Sequence, residues 1–322
     1  MRTPKLVSTV VLASALTAFA ATTAQAQDFP SKTLEVITHA GNGGGTDVTT
    51  RMMMLRTRRN LKQDMVVVNK NGGNGAAAME YFKKLDADGH TVMAFTIGHA
   101  ITMAKGKTSL KLEDLKPLAR GTDDPQILMV NCKESAYKTP EEFVEGMKTE
   151  KLKFGTTNVG GIDHITAYVF AERGGLMQPD IIPFKGGGEV ATQLVAGATD
   201  VGVLNLSEAS AQIEAGDICP LVILGNSGMA PIPDAKTAKE LGIDAVFSTV
   251  RGFVTHASVD DANAKVLEEG MVKAMEHSVY QGFLTSVGLD ASSVAGADEW
   301  GTQMQQMIKD MEPAIEAMGL KE

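Results

Sequence analysis

Aromatic residues are few: one Trp, four Tyr and eleven Phe in 322 residues. Few rings are therefore on hand to line a stacking pocket, which favours a small, polar ligand over a flat aromatic one. Basic charge is also in deficit, with 30 Lys and Arg against 39 Asp and Glu for a net charge of −9. Nucleic acid needs clustered cations, so that class of partner is not expected. A small anion is not excluded, because a cleft sets its own local potential. Cysteine is limited to Cys132 and Cys219, with no C-x-x-C and no Cys/His cluster at zinc spacing. The two lie near the edges of strand-like runs and are either one disulfide or two buried thiols. The six histidines include no H-E-x-x-H, and neither metal nor cofactor is expected. No G-x-S-x-G occurs; "GNSG" at 225–228 is too short a match. Nucleophilic catalysis therefore has no support.

Long apolar runs are missing too, except at the start. "MRTPKLVSTVVLASALTAFAATTAQAQDFP" opens with Arg2 and Lys5, continues through an apolar run, and reaches Ala24-Gln25-Ala26. This is the layout of a secretory signal peptide cleaved after Ala26, with an uncleaved anchor helix as the alternative. Cleavage removes two cations and takes the charge from −9 to −11. Beyond residue 26 no stretch offers the roughly 18 apolar residues of a membrane span, so the mature chain is expected to be soluble.

The mature chain alternates strand-like and helix-like segments. "LEVITHA", "MVVVNK", "HTVMAFTI", "QILMVN", "KLKFGTTN", "DIIPF", "DVGVLN", "PLVILGN" and "VFSTVRGFVTH" read as strands. Between them helices are expected at 46–60, 76–85, 100–105, 163–173, 189–196 and 207–215. A long helical stretch covers 260–287, and a last helix 298–318. "TPEE" at 139–142 is a capping box with Pro at the first helical position. The alternation predicts an α/β protein with mostly parallel sheets. The Met-rich runs "RMMML" and "MQQMIKDM" have helical spacing and read as core faces.

In such sheets ligands gather at the carboxyl ends of strands. The loops there, at 41–47, 69–75, 96–99, 156–164, 184–189, 205–207 and 225–228, are mostly rich in Gly, Asn, Thr and Ser. Those residues offer backbone N–H groups and small hydroxyls, which suit anions better than acid–base chemistry. "AGNGGGTDV" is not a P-loop, since Gly45 is followed by Thr46 and Asp47 and no Lys. "GNGAAA" at 73–78 fits the dinucleotide pattern G-x-G-x-x-A, but no acidic residue ends the next strand, "FTIGHA". Two helix starts remain as anion sites: 43–47, and 156–164 with Gly160 and Gly161 just before a helix. His39, His99 and His164 each fall at a strand end or helix start. They are either structural hydrogen-bonding residues or contacts to one shared cleft.

With these blocks in order, the chain resembles the substrate-binding proteins of tripartite tricarboxylate transporters, the Bug family. The resemblance rests on "DFPSKTLEVITHAGNGGGTDVTTRMM", "VVVNKNGGNGAAA", "LKFGTTNVGGIDH" and "PFKGGGEVATQLVAGATDVGV", and it covers nearly the whole mature chain. "GTDD" and "RGF" fit the connecting regions less specifically. It departs where Gly41 or Asn42 replaces a frequent Pro, where Gly161 replaces a usual Ser, and where Val250 and Arg251 replace a frequent aromatic. The resemblance implies a periplasmic-binding-protein-like α/β fold with a ligand cleft between two lobes. The expected bounds are 27–126 plus 251–322 for the first lobe and 127–250 for the second. It also implies a periplasmic receptor, monomeric and not an enzyme, that binds a small carboxylate and delivers it to membrane transporter subunits. Two alternatives stay open: an exported enzyme with a nucleotide on 73–78, and a ligand-dependent sensor for a membrane kinase.

For the site, Gly44, Gly45, Thr46 and Asp47 are expected to hold one carboxylate, with Asp47 ordering the loop or water. Thr156, Thr157, Asn158, Gly161 and His164 are expected at the opposite end. Thr96, His99, Lys185 and Asn205 are secondary candidates. Arg251 either pairs with a carboxylate in the cleft or makes a surface or inter-lobe salt bridge.

Overall fold

A computed structural model describes residues 29–321; the expected leader lies outside them. Two six-stranded sheets organise the chain. The first contains β1 (Leu34–Thr38), β2 (Met65–Asn69), β3 (Thr91–Thr96), β4 (Leu115–Pro125), β11 (Ser248–His256) and β12 (Ala295–Gly296), in the order β12-β4-β11-β3-β1-β2. The second contains β5 (Ile127–Asn131), β6 (Lys153–Thr156), β7 (Asp180–Pro183), β8 (Val201–Leu204), β9 (Ile218–Ile223) and β10 (Lys236–Thr237), in the order β10-β9-β5-β8-β6-β7. Helices α1 (Gly45–Leu61), α2 (Ala76–Phe82), α3 (Ile97–Ala104), α8 (Asp261–Met275), α9 (Ser278–Ser286) and α10 (Ala297–Ala317) belong to chain segments of the first sheet. Helices α4 (Pro140–Gly146), α5 (Ile162–Gly174), α6 (Gly187–Val195) and α7 (Ser210–Glu214) lie within the segments of the second. The fold is the two-lobed α/β arrangement that the alternation and the resemblance imply.

The sheets are mixed rather than mostly parallel. Where a helix returns the chain, strands run parallel, as in β2-β1-β3 and β7-β6-β8. The strands that cross between lobes run against their neighbours: β11 pairs antiparallel with β3 and β4, and β5 with β8 and β9. β4 escaped the sequence reading altogether. Its residues LKPLARGTDDP contain two prolines, a glycine and two aspartates, all poor strand formers. Pairing along the length of β11 outweighs those propensities. The expected helix over 260–287 is two helices: Glu276 closes the first, and His277 caps the second, its Nδ1 accepting from Val279 N at 3.2 Å. The capping box at Thr139 forms as expected: Thr139 Oγ1 accepts from Glu142 N, and the Glu142 carboxylate from Thr139 N, both at 3.2 Å.

The crossing point is compact. Gln126 N donates to Phe247 O (2.9 Å), Leu224 N to Gln126 O (2.8 Å) and Phe247 N to Leu224 O (2.8 Å). Three chain segments thus close a ring of backbone bonds between the lobes. One apolar cluster runs through both lobes, from Phe95, Trp300, Met304 and Met311 to Phe154, Ile165 and Phe170. Each large side chain so buried contributes about 1.5–3 kcal/mol. The Met-rich runs do face the core, with Met53, Met54, Met304 and Met311 buried. Among the described residues no helix is long and apolar enough to cross a membrane.

Cys132 and Cys219 form a disulfide across the β5–β9 edge, closing a loop of sequence separation 87. Constraining a loop of that length in the unfolded chain stabilises the fold by about 4.5 kcal/mol. Reduction, or the Cys132→Ser/Cys219→Ser pair, is expected to lower the unfolding free energy by about that amount in a denaturant titration. An unchanged midpoint would contradict it.

Candidate functional site

The carboxyl end of β3 and the crossing strands build one polar face. Arg251 on β11 lies opposite Thr96 on β3 and Thr122 on β4, and Thr249 lies opposite Asp124. Side chains alternate along a strand, so Thr249 and Arg251 share a face with Thr122 and Asp124. The other face of β11, through Ser248 and Val250, borders a cavity of about 700 Å³ between α10 and residues 239–250. Arg120, Arg173, Asp244 and a row of α10 residues line it with them, and none of the residues anticipated for binding does.

On the polar face, Arg251 points at the start of α1. A Cβ placed on Gly45 would stand 3.1 Å from Arg251 Nη2. Gly45 is therefore the residue that lets the guanidinium approach the helix N-terminus. The arrangement is electrostatically incomplete. The first N–H groups of α1 have no partner within the helix and carry its positive end. Arg251 adds a full positive charge beside them, and it makes one long hydrogen bond, Nη1 to Thr122 Oγ1 at 3.5 Å. Burial pushes the Arg251 pKa down, against the pull of Asp124, yet an arginine keeps its proton. Two positive groups meeting with so little compensation call for an anion between them.

Buried acids stand close by. Asp124 is 7% exposed, and burial raises its pKa to about 7 against the opposing charge of Arg251. Burial also raises Glu208, whose carboxylate packs on Gly187 in the first turn of α6. Neither acid closes a salt bridge to Arg251. Asp124, Thr122 and Glu208 were not anticipated, because β4 reads as a loop and Glu208 as a helix surface; "GTDD" beside a strand would have been the signal.

The anticipated residues sort clearly. Gly44 caps α1, and Thr46 and Asp47 are buried in its first turn. Asp47 accepts from Gly43 N (2.9 Å), Arg51 Nε (2.8 Å) and Nη2 (3.0 Å), and Asn69 Nδ2 (3.0 Å). Its hydrogen bond to Arg51, more than any other contact, lowers its pKa to about 2. Asp47 thus fixes the loop. His99 Nδ1 accepts from Thr96 N at 3.1 Å, which leaves Nε2 to carry the proton, buried and unpartnered. His39 meets His99 edge-on, 4.5 Å between centroids. Burial first, then the Arg251 charge, lowers the His39 pKa to about 4, so this pair is neutral.

In the second lobe, Thr156 is fully buried with Oγ1 unpartnered. Thr157 donates through N (2.8 Å) and Oγ1 (2.5 Å) to Asp163, and His164 Nδ1 accepts from Gly160 N at 2.9 Å. Asn158 is exposed, and Gly161 caps α5. Lys105 Nζ donates to Gly160 O at 2.7 Å, tying this loop to the end of α3. Lys185 is exposed. Asn205 joins the crossing strands: Nδ2 donates to Asp124 O (2.9 Å) and Pro125 O (3.0 Å), and Oδ1 accepts from Thr249 Oγ1 (3.1 Å). The dinucleotide-like glycines have another physical reason. Gly75 has φ +99°, and a Cβ there would stand 2.7 Å from the His99 ring.

A tight contact makes Gly45 testable. In Gly45→Ala the methyl must push the guanidinium by a few tenths of an ångström, and acid binding is expected to weaken about tenfold, or about 1.4 kcal/mol, with an unchanged unfolding midpoint. Wild-type affinity by calorimetry would contradict this reading of the contact.

Residues 49–320 match the pattern of the tripartite tricarboxylate transporter family receptors, TctC. The chain belongs to this family. Among curated relatives of the receptor, a UPF0065 protein of Bordetella pertussis is 25% identical over 310 residues, 94% of each chain. The fold matches a solved TctC solute-binding protein from Polaromonas with a TM-score of 0.84, at 24% identity over 90% of this receptor and 99% of that chain. It also matches MatC of Rhodopseudomonas palustris with bound malate, TM-score 0.67, at 22% identity over 89% of this receptor and all 100% of that chain.

Proposed function

We propose that this receptor captures a small organic acid between its lobes, seats a carboxylate on Arg251 and the N-terminus of α1, and hands it to membrane transporter subunits. One observation carries the reading: a guanidinium with a single long hydrogen bond, set against the positive end of a 17-residue helix. Gly45 and Thr46 present their backbone N–H groups to the acid, while Gly44 N, bonded to Gly41 O at 3.0 Å, holds the turn that precedes them. Thr96 and the neutral His99 Nε2–H flank it, and Thr156 Oγ1 and the loop capped by Gly161 meet it from the second lobe. Asp47, Thr157, His164 and Asn205 position these groups. The expected export signal, the disulfide and the malate-bound relative MatC support a receptor acting in the periplasm, where we take it to act as a monomer.

Thermal unfolding against a panel of organic acids tests the reading, after partial unfolding to strip any carried-over ligand. An acid at about 100 times its dissociation constant adds roughly 2.7 kcal/mol. A shift with carboxylates, lost from Arg251 variants, supports the site. Silence with every acid, or a shift only with nucleotides, contradicts it. For delivery, deleting the gene is expected to abolish uptake of the same acid by whole cells; unchanged uptake would remove the transport role.

A further inference from the structure

The polar face carries more acceptors than a plain carboxylate can use. Asp124 Oδ1 is buried without a hydrogen-bond partner, on a residue 7% exposed. Gln126 Oε1 is buried and unpartnered as well, on a residue 1% exposed. Its Nε2 donates to Thr249 Oγ1 at 2.9 Å, which holds the amide beside the row formed by Thr249 and Asp124. Glu208 adds a second carboxyl within electrostatic reach of both Asp124 and Arg251. A dicarboxylate on Arg251 would bring two negative charges against these two acids, with one guanidinium to balance them. It would also leave the free acceptors unsatisfied.

We propose that the solute is an aminocarboxylate, with its carboxylate on Arg251 and the α1 N-terminus and its ammonium on Asp124. The inference rests on Arg251 as the carboxylate seat. An ammonium offers three donors; Asp124 Oδ1 and Gln126 Oε1 are the free acceptors of this face, and Glu208, whose Oε2 accepts from Asn205 N at 2.9 Å, adds a carboxyl within electrostatic reach. Charge then balances across the cleft, each group of the solute meeting its opposite. Asp124 becomes the residue that sets specificity: a site built to satisfy a donor discriminates strongly against the analogue that lacks it.

Calorimetry with matched probes decides the matter: aspartate against succinate, glutamate against glutarate, and 4-aminobutyrate against butyrate. At least one amino member is expected to bind the wild-type protein 30-fold or more tighter than its partner. In Asp124→Asn, nearly the same shape, that preference is expected to fall below threefold, with the plain acid bound as well as before or better. Plain acids that bind as tightly as amino acids in every pair would overturn the inference and leave the acid-receptor reading standing. A preference that survives Asp124→Asn would overturn the role of Asp124. Failure of both members of every pair to bind would remove the carboxylate seat and this inference with it.

Discussion

Replacing Arg251 with Met is expected to cost acid binding about a thousandfold, or roughly 4 kcal/mol, and to leave the fold as stable as before or more so. The two halves of this expectation come from one geometry. The guanidinium is half-buried, makes one hydrogen bond of 3.5 Å and lies against the positive end of α1. Desolvation of such a charge is a cost that an apolar side chain of similar length does not carry. In the complex the same guanidinium forms charge-assisted bonds with a carboxylate, and its removal leaves that carboxylate facing Asp124 and Glu208. Calorimetry and a denaturant titration of the same variant check both halves. If binding survives, Arg251 is not the seat; if binding and stability fall together, Arg251 is a structural residue.

The second large effect is on pH dependence. Burial raises Asp124 from its ordinary value of 3.8 to about 7 in the folded protein. The folded state therefore holds this proton more tightly than the unfolded chain. The contribution is fully present below about pH 4 and is lost as the pH rises through 7. Arg251 opposes the shift, while Glu208 and Asp123 reinforce it. Glu208, itself raised by burial, acts in the same direction. Asp47, lowered to about 2, acts in the opposite direction and matters only below about pH 4. Between pH 5 and pH 8 the wild-type protein is expected to lose roughly 2–3 kcal/mol relative to Asp124→Asn, which cannot ionise. Denaturant titrations of both proteins at the two pH values measure the difference, and a constant gap would show that Asp124 is ionised throughout.

Much of this architecture is legible in the residues. Alternating apolar segments locate β1, β2, β3 and β6, and "TPEE" locates the start of α4, because these signals are local. The anion site at the start of α1 is legible for the same reason: glycines before a helix advertise free N–H groups. The partners of that site are not. Arg251 gains its meaning from lying opposite Thr96 and Thr122, and register between strands so distant in sequence leaves no local trace. Asp124 is hidden still further, since β4 is a strand through its pairing with β11 and β12 rather than through its own residues. Gly75 misleads for a related reason: it imitates a nucleotide motif while serving a close approach to His99.

The central claim is most directly tested by a crystal structure of the protein with the tightest-binding acid from the panel. The account predicts a carboxylate about 3 Å from both the Arg251 guanidinium and the first N–H groups of α1. An acid lodged instead in the cavity between α10 and residues 239–250, with Arg251 unengaged, would contradict it.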